Sequence, residues 1–453
     1  MSGPKARSTQ GVKIHVNASA SRGEKNAIKT RRQPNESIQA SAADGAREEK
    51  KAQEPAPWVA RAEQGQAGDA IIARVATPAE TKVLIAGGSF AGLEAMLAVR
   101  ALAKELVTVE LMAPDPEFLY RPLAVAEPFG LSEVRRFPLG PLAERCGARY
   151  RPAALTAVDA PARLARTSDD ESVSYDALVV ACGARTQEAI PGALTFQGPQ
   201  DIARLAELVD HVESGTVERV AFAVPAGVSW PLPLYELTLL TARLARSSAP
   251  RAEIILVTPE RAPLALFGTS ASNLARELLE RQRVRLALER HPVRYREGSL
   301  ELAGGETMAV DAVISLPLLR GPYLEGLPHD DEGFLKVDHH GRVERVPAVY
   351  AAGDVTAFPV KQGGLATQQG DVVAETIAAE AGVPVQPTPL DPVLRALLLT
   401  GDRPAYVRAA LGGHHGDPGV VDWEPLWWPP AKVAGLHLAP FLRENIALSG
   451  THR

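Results

Sequence analysis

Three short runs in this chain hold residue types that could grip a diphosphate. The first is Lys82-Val-Leu-Ile-Ala-Gly-Gly-Ser-Phe-Ala-Gly-Leu-Glu94. It passes from an apolar, β-branched run through Gly87 and Gly88, then Ser89, Phe90, Ala91 and Gly92, into an Ala/Leu-rich stretch with helical spacing. Such a strand, tight glycine turn and helix bring backbone close to a phosphate. The helix start adds N–H donors and partial positive charge. Gly87 and Gly92 hold the outer glycine positions, while Ser89 stands where a middle glycine is usual. Far along the chain, Val349-Tyr-Ala-Ala-Gly-Asp-Val-Thr-Ala-Phe-Pro359 ends a second apolar run in Gly353-Asp354. Between them, Tyr175-Asp-Ala-Leu-Val-Val-Ala-Cys-Gly-Ala184 ends a third in Ala181-Cys182-Gly183.

The glycine loop alone is a weak signal. The three runs in this order resemble the two-dinucleotide-binding-domain flavoproteins of the pyridine nucleotide-disulphide oxidoreductase superfamily. The resemblance implies FAD, with Gly87–Gly92 on its diphosphate and the Asp354 carboxylate on its ribityl or phosphate end. It puts the 175–184 run near the FAD, with Cys182 where threonine is usual. In that family the loop matching Phe118-Leu-Tyr-Arg-Pro-Leu123 sets aromatic and proline residues, here including Pro122, against the flavin. The strand matching Ala154–Asp159 meets adenine near Leu155. A helix from about Gly364 would aim its first N–H groups, including that of Leu365, at the flavin's pyrimidine edge and stabilise the anionic reduced form. Lys361, just before it, would add charge or else be a surface lysine. Ala366-Thr-Gln-Gln-Gly370 resembles a run of type II NADH dehydrogenases that borders the quinone and nicotinamide side. Gln368 or Gln369 would then hydrogen-bond an acceptor, or stand as helix-surface glutamine. One position departs from the pattern. An acid about 20 residues after the glycines should bind the ribose hydroxyls. Here the strand ends in Ala113-Pro114, Asp115 lies beyond it, and Glu110 lies inside it.

A second nucleotide-type unit comes next, and its turn is poor for phosphate. Val224-Pro-Ala-Gly-Val-Ser-Trp-Pro-Leu-Pro-Leu-Tyr-Glu236 has one glycine, three prolines and a tryptophan. Proline removes N–H donors and bulky side chains keep backbone away. A standard NAD(P)H diphosphate site is hard to build there, and Glu260 without the loop is thin support. This turn, with Thr258-Pro-Glu-Arg-Ala-Pro-Leu-Ala-Leu-Phe-Gly268 and Leu316-Pro-Leu-Leu-Arg-Gly-Pro322, resembles the sulfide:quinone oxidoreductase and flavocytochrome c sulfide dehydrogenase branch. The resemblance covers about residues 80 to 440. Sulfide oxidation in that branch needs a redox cysteine pair with a lowered thiol pKa. Here the only cysteines are Cys146 and Cys182, neither near Gly353–Gly364, and Cys182 reads as a small structural residue.

These groups need elements to hold them. The pattern predicts an α/β protein with two Rossmann-like three-layer dinucleotide-binding domains, the second inserted in the first, and a C-terminal tail. The FAD-binding domain is expected over 79–200 and 310–385, and the degenerate nucleotide domain over 201–309. A Trp-rich region is expected over 386–453 and a disordered arm over 1–78. Strands are predicted at Thr81–Gly87, Val107–Met112, Val220–Val224, Glu253–Val257 and Val310–Leu316. Helices are predicted at Gly92–Leu106, Leu232–Leu244, Ser272–Arg281 and Gly363–Ala379. The basic stretch Lys5–Arg32 reads as a targeting arm or a solvated tail, and His414-His415 as loop residues. Trp423, Trp427 and Trp428 read as an interfacial anchor or as a lid on the FAD domain.

Composition sets the outer bounds. The chain has 453 residues, a net charge of −5 and two cysteines. No basic stripe suggests nucleic acid, and nothing has metal-ligand spacing. No apolar run reaches about 18 residues, and the start lacks a secretory signal, so a cytoplasmic location is expected. The full expectation is an FAD-dependent oxidoreductase. It takes electrons from a small-molecule donor and passes them to a quinone from the inner face of a membrane, as a homodimer. A divergent type II NADH:quinone oxidoreductase and a non-catalytic flavin-binding protein are the alternatives.

Overall fold

The computed structural model describes residues 80–411 and 418–449. The expected arm and His414-His415 lie outside the described residues. Two five-stranded parallel sheets form the frame. The first holds β1 (Thr81–Ala86), β2 (Val107–Met112), β3 (Arg149–Arg151) and β4 (Ala177–Val180). The second holds β5 (Leu194–Thr195), β6 (Arg219–Ala223), β7 (Glu253–Val257), β8 (Arg285–Ala287) and β9 (Ala312–Ser315). The chain then returns to the first sheet as β10 (Val349–Ala351), so the strand orders are β10-β4-β1-β2-β3 and β5-β9-β6-β7-β8. Each order reverses beside its central strand, β1 or β6. Open α/β sheets take ligands outside the carboxyl ends of their strands at such a point.

Composition explains the central strands. Val83, Leu84, Ile85 and Ala86 are all buried, as a strand covered on both faces requires. Truncating Ile85 to Ala would cost roughly 2–5 kcal/mol. Helix α1 (Phe90–Ala103) covers one face of this sheet with Leu93, Met96 and Val99. Its Ala-rich sequence keeps the helix thin, and it lies along α6 (Gly363–Glu380). A Cβ on Gly370 would lie 2.8 Å from the Ala91 carbonyl oxygen, so glycine permits this close crossing. The intervening helices are α2 (Leu139–Arg145), α3 (Ile202–Glu213), α4 (Leu232–Ser248) and α5 (Thr269–Arg281). α4 and α5 cover one face of the second sheet, and a three-stranded antiparallel sheet over residues 292–309 covers the other.

The C-terminal region is more built than a tail. β11 (Val393–Leu398), β12 (Ala405–Ala410) and β13 (Val420–Asp422) form an antiparallel sheet, and α7 (Leu438–Ser449) comes after it. β11 alternates half-buried and buried positions, and Leu394, Ala396 and Leu398 enter the core of the second unit. The run itself, Val-Leu-Arg-Ala-Leu-Leu, is apolar at five of its six positions, so the alternation is one of burial and not of residue type.

Candidate active site

The three glycine-bearing runs meet at one sheet edge. Gly87 follows β1, Ala181 follows β4 and Gly353 follows β10, the three adjacent strands at the reversal point of the first sheet. Gly87 has φ +137°, and a Cβ there would lie 2.1 Å from the Ala181 carbonyl oxygen. A Cβ on Gly92 would lie 1.8 Å from the Gly87 carbonyl oxygen, and one on Gly88 2.5 Å from Leu139 Cδ1. Larger residues at these positions would push the loop open. Ser89 caps α1 in extended geometry without using its hydroxyl, and Leu93 N–H donates to its carbonyl at 2.9 Å. The first turn of α1, over Phe90, Ala91 and Gly92, therefore has N–H groups free of the helical ladder, facing the strand ends.

Beneath the loop lies an aromatic floor. The Phe90 ring stands edge-on to Phe118 at 5.1 Å and to Tyr120 at 5.6 Å, and Phe118 stacks on Phe137 at 5.9 Å. Pro122 sits in the single helical turn Arg121–Leu123 just beyond. Leu155 packs with Ala86 and Met112, at the ends of β1 and β2. Cys182 and Gly183 follow Ala181; Gly183 is left-handed at φ +77°, with open space where a side chain would be.

The Gly353-Asp354 turn is held from behind. Gly353 is left-handed at φ +83°, and its N–H donates to Gln369 Oε1 at 2.6 Å. Burial pushes the Asp354 carboxyl above the usual range, and the charges of Lys361 and Arg121 oppose that shift. Lys361 is buried, donates to the Thr356 carbonyl and lies 3.8 Å over the Phe334 ring. Burial lowers its ammonium to about 8, against the opposing pull of Asp354, Asp330 and Glu332. At the start of α6, Gln362 Oε1 accepts from Leu365 N–H at 2.8 Å. That cap engages Leu365 within the protein, and half-buried Gly363 and buried Gly364 form the positive end of the helix dipole. Gln368 is engaged too: its amide donates to the Gly364 and Val393 carbonyls and accepts from Val393 N–H. Both glutamines are thus tied to backbone. Arg121 and Gln362 were not picked out from the sequence. Gln362 had a signal in its place just before a glycine pair at a helix start.

Two acids that the fold could offer to ribose hydroxyls are engaged elsewhere. Glu110 pairs with Arg151 at 2.5 Å, and Arg151 also pairs with Glu171 at 2.6 Å. Glu260, at the end of β7, accepts from the Tyr235 hydroxyl at 2.5 Å and from the Thr258 hydroxyl at 2.9 Å. In the second unit the turn after β6 is filled by side chains: Trp230 packs edge-on against Phe267 at 5.5 Å. Pro231 caps α4 and Pro233 lies in its first turn. Glu236, fully buried in that helix, receives Lys432 Nζ at 2.6 Å on both carboxylate oxygens. It also accepts Leu399 N–H at 2.9 Å. Nothing in the local sequence announces this pairing across 196 residues.

The two cysteines are free, and burial pushes both thiols up to about 11. Solvent reaches Cys182, but enough protein surrounds it to disfavour the thiolate. Neither thiol has the lowered pKa of a reactive cysteine. Among the tryptophans, Trp423 packs on the second core and Trp427 donates to the Ala431 carbonyl while lying edge-on to Tyr406. Trp428 is 69% exposed with the Arg443 guanidinium 4.5 Å from its ring.

The fold is that of a two-unit oxidoreductase of a class that binds flavin and nucleotide. Residues 81–370 match the pyridine nucleotide-disulphide oxidoreductase family, and the chain belongs to that family. It is 30% identical over 293 residues to an NADH dehydrogenase-like protein of Mycobacterium tuberculosis, covering 61% of this chain and 73% of that protein. It is 26% identical over 358 residues to the demethylphylloquinone reductase NdbB of Synechocystis, covering 72% of this chain and 86% of that protein. Among solved structures, the sulfide:quinone oxidoreductase of Aquifex aeolicus superposes with a TM-score of 0.67 at 16% identity. That match covers 76% of this chain and 86% of the other. No helix among the described residues is long and apolar enough to cross a membrane.

Proposed function

We propose that this protein binds FAD in the first unit and carries electrons from a small donor to a quinone. The observation that carries the reading is the glycine cradle at the ends of β1, β4 and β10, where any Cβ on Gly87 or Gly92 would collide with backbone. Gly87–Gly92 and the first turn of α1 would hold the diphosphate. Asp354 would take a ribityl hydroxyl, with Gln369 fixing its turn. Pro122 and the aromatic floor would lie beside the ring system, and Leu155 beside adenine. When bound, the flavin supplies the electron-accepting and electron-donating chemistry. The chain's part is to place positive potential at one edge of the ring, from the α6 start and from Lys361, and to keep Asp354 aligned. The NdbB relative, a demethylphylloquinone reductase by name, supports quinone as the acceptor class. The exposed Trp428 and Leu436 support docking at a membrane surface.

The donor site does not follow the nicotinamide pattern. The prolines after β6, and Glu260 held by Tyr235 and Thr258, leave no phosphate cradle in the second unit. The Mycobacterium tuberculosis relative is named NADH dehydrogenase-like, which keeps the type II NADH:quinone reading as the rival. The test has two parts. The cofactor released by denaturing purified protein should be FAD at one per chain. The anaerobically photoreduced protein should reoxidise on adding a soluble quinone. Protein without flavin would end this reading.

A further inference from the structure

A buried carboxyl group, Glu94, and a half-buried one, Asp371, meet where α1 crosses α6, and neither belongs to the glycine cradle. Glu94 of α1 is fully buried; its Oε1 accepts His437 N–H at 2.6 Å and its Oε2 accepts Leu438 N–H at 3.0 Å. It therefore caps the start of α7, where a carboxylate is favoured by free N–H groups and the helix dipole. Asp371 follows Gly370, where a Cβ would lie 3.2 Å from Glu94 Cβ, so its carboxyl faces that of Glu94, and its buried Oδ1 has no donor. Two carboxyl oxygens can pair only through a proton. Two adjacent buried carboxylates cannot both ionise cheaply. Glu94 has two N–H donors that favour its ionised form, so the proton belongs on Asp371.

The segment held this way reaches the start of α6. Val433 N–H donates to the Tyr120 hydroxyl at 2.9 Å, and the Ala434 carbonyl accepts from Thr367 at 2.7 Å. A Cβ on Gly363 would lie 3.0 Å from Val433 Cγ2 and 3.4 Å from Phe90 Cδ2, so Val433 walls the α6 start. A Cβ on Gly435 would lie 2.4 Å from Glu94 Oε2, so glycine is what lets the segment lie this close to the carboxylate. We propose that Glu94 and Asp371 are positioning residues: they share one proton, and through it hold residues 433–438 against the start of α6. The latch stands on contacts within the chain and is independent of the function proposed above.

The other charges that face the pair are Glu375 on α6, which disfavours ionised Asp371, and His437 before α7, which favours ionised Glu94. Burial and Glu94 push Asp371 up to about 9, from an ordinary value of 3.8. Because the folded value is raised, the proton's contribution is complete below the unfolded value and is lost as pH rises through the folded one.

Hydrogen exchange of residues 433–445 in the full-length holoprotein tests this, from about pH 6 to about 10 and corrected for intrinsic base catalysis. In the wild-type protein, protection of this segment should fall at least about tenfold between about pH 6 and the Asp371 titration near 9, and level off above it. Asp371→Asn keeps a donor toward Glu94 and should hold protection level across the range. Its thermal midpoint should lead the wild type by a margin that widens with pH up to about 9 and then stays constant. Asp371→Ala should lose protection at every pH. Identical pH profiles for wild type and Asp371→Asn would overturn the shared proton. Wild-type protection in Asp371→Ala would overturn the latch. If the alanine variant fails to fold, the asparagine comparison alone decides.

Discussion

The two parallel-sheet units share the order of four strands, β4-β1-β2-β3 and β9-β6-β7-β8, and differ at the turn after the first of them in the chain. After β1 the chain turns through Gly87, Gly88 and Gly92, and backbone lines the reversal point of the sheet. After β6 it turns through Pro225, Pro231 and Pro233, and side chains line that point instead. The candidate acid of each unit, Glu110 within β2 or Glu260 just beyond β7, is engaged by neighbours in both. What separates the units is therefore the glycine turn. A nucleotide fold can keep its sheet while losing the backbone approach that a diphosphate needs.

The strongest way to break the contrast is to close the open unit. Gly87→Val should give protein with less than about a tenth of the wild-type flavin, because its Cβ would collide with the Ala181 carbonyl. Released flavin read by absorbance checks this, with circular dichroism confirming the fold. Asp354→Ala should come second, with a mostly cofactor-free protein; stoichiometric flavin in both variants would sink the site assignment. Next in size is the seal on the closed unit. Lys432→Met strands Glu236 as a fully buried unpaired acid and should cost about 3–5 kcal/mol, measured by urea unfolding.

A finer probe is Lys361. Its folded-state ammonium is depressed to about 8 from 10.5, so burial opposes its charged form. That penalty is complete below about 8 and is relieved as pH rises towards 10.5. Lys361→Met should therefore gain stability over the wild type most at neutral pH and least in alkali, as thermal midpoints would show. With cofactor bound, loss of the positive charge should lower the flavin midpoint potential. The smallest effect is expected at Cys182: Cys182→Ser should leave cofactor content and flavin reduction unchanged. Lost turnover with flavin still bound would revive thiol chemistry.

Much of the open unit was legible because its chemistry is local. The Gly87–Gly92 run, the β-branched strand before it and the helix after it lie within one stretch, and the predicted Val107–Met112 strand matches its observed bounds, as Glu253–Val257 does in the other unit. The first helix starts earlier than expected, at Phe90, because Ser89 in extended geometry serves as its cap. The contacts that fix the closed unit are not local. Lys432 reaches Glu236 and Tyr235 reaches Glu260, just as Glu94 in the open unit reaches His437 across 343 residues. No periodicity in one segment can report such a partner. The C-terminal sheet fell between these cases. The short apolar run Val393–Leu398 is compatible with a buried strand, but its near-uniform residue types hide which side faces inward, and its pairing with Ala405–Ala410 depends on a turn through Gly401.

The most direct measurement is an anaerobic visible spectrum of the purified protein with NADH, NADPH and sulfide added in turn. One open and one closed unit predict a bound-flavin spectrum that neither nicotinamide bleaches at a saturable rate, and no fast bleaching by sulfide without a thiol pair. Rapid, saturable bleaching by NADH would contradict the closed second unit and establish the type II dehydrogenase reading in its place.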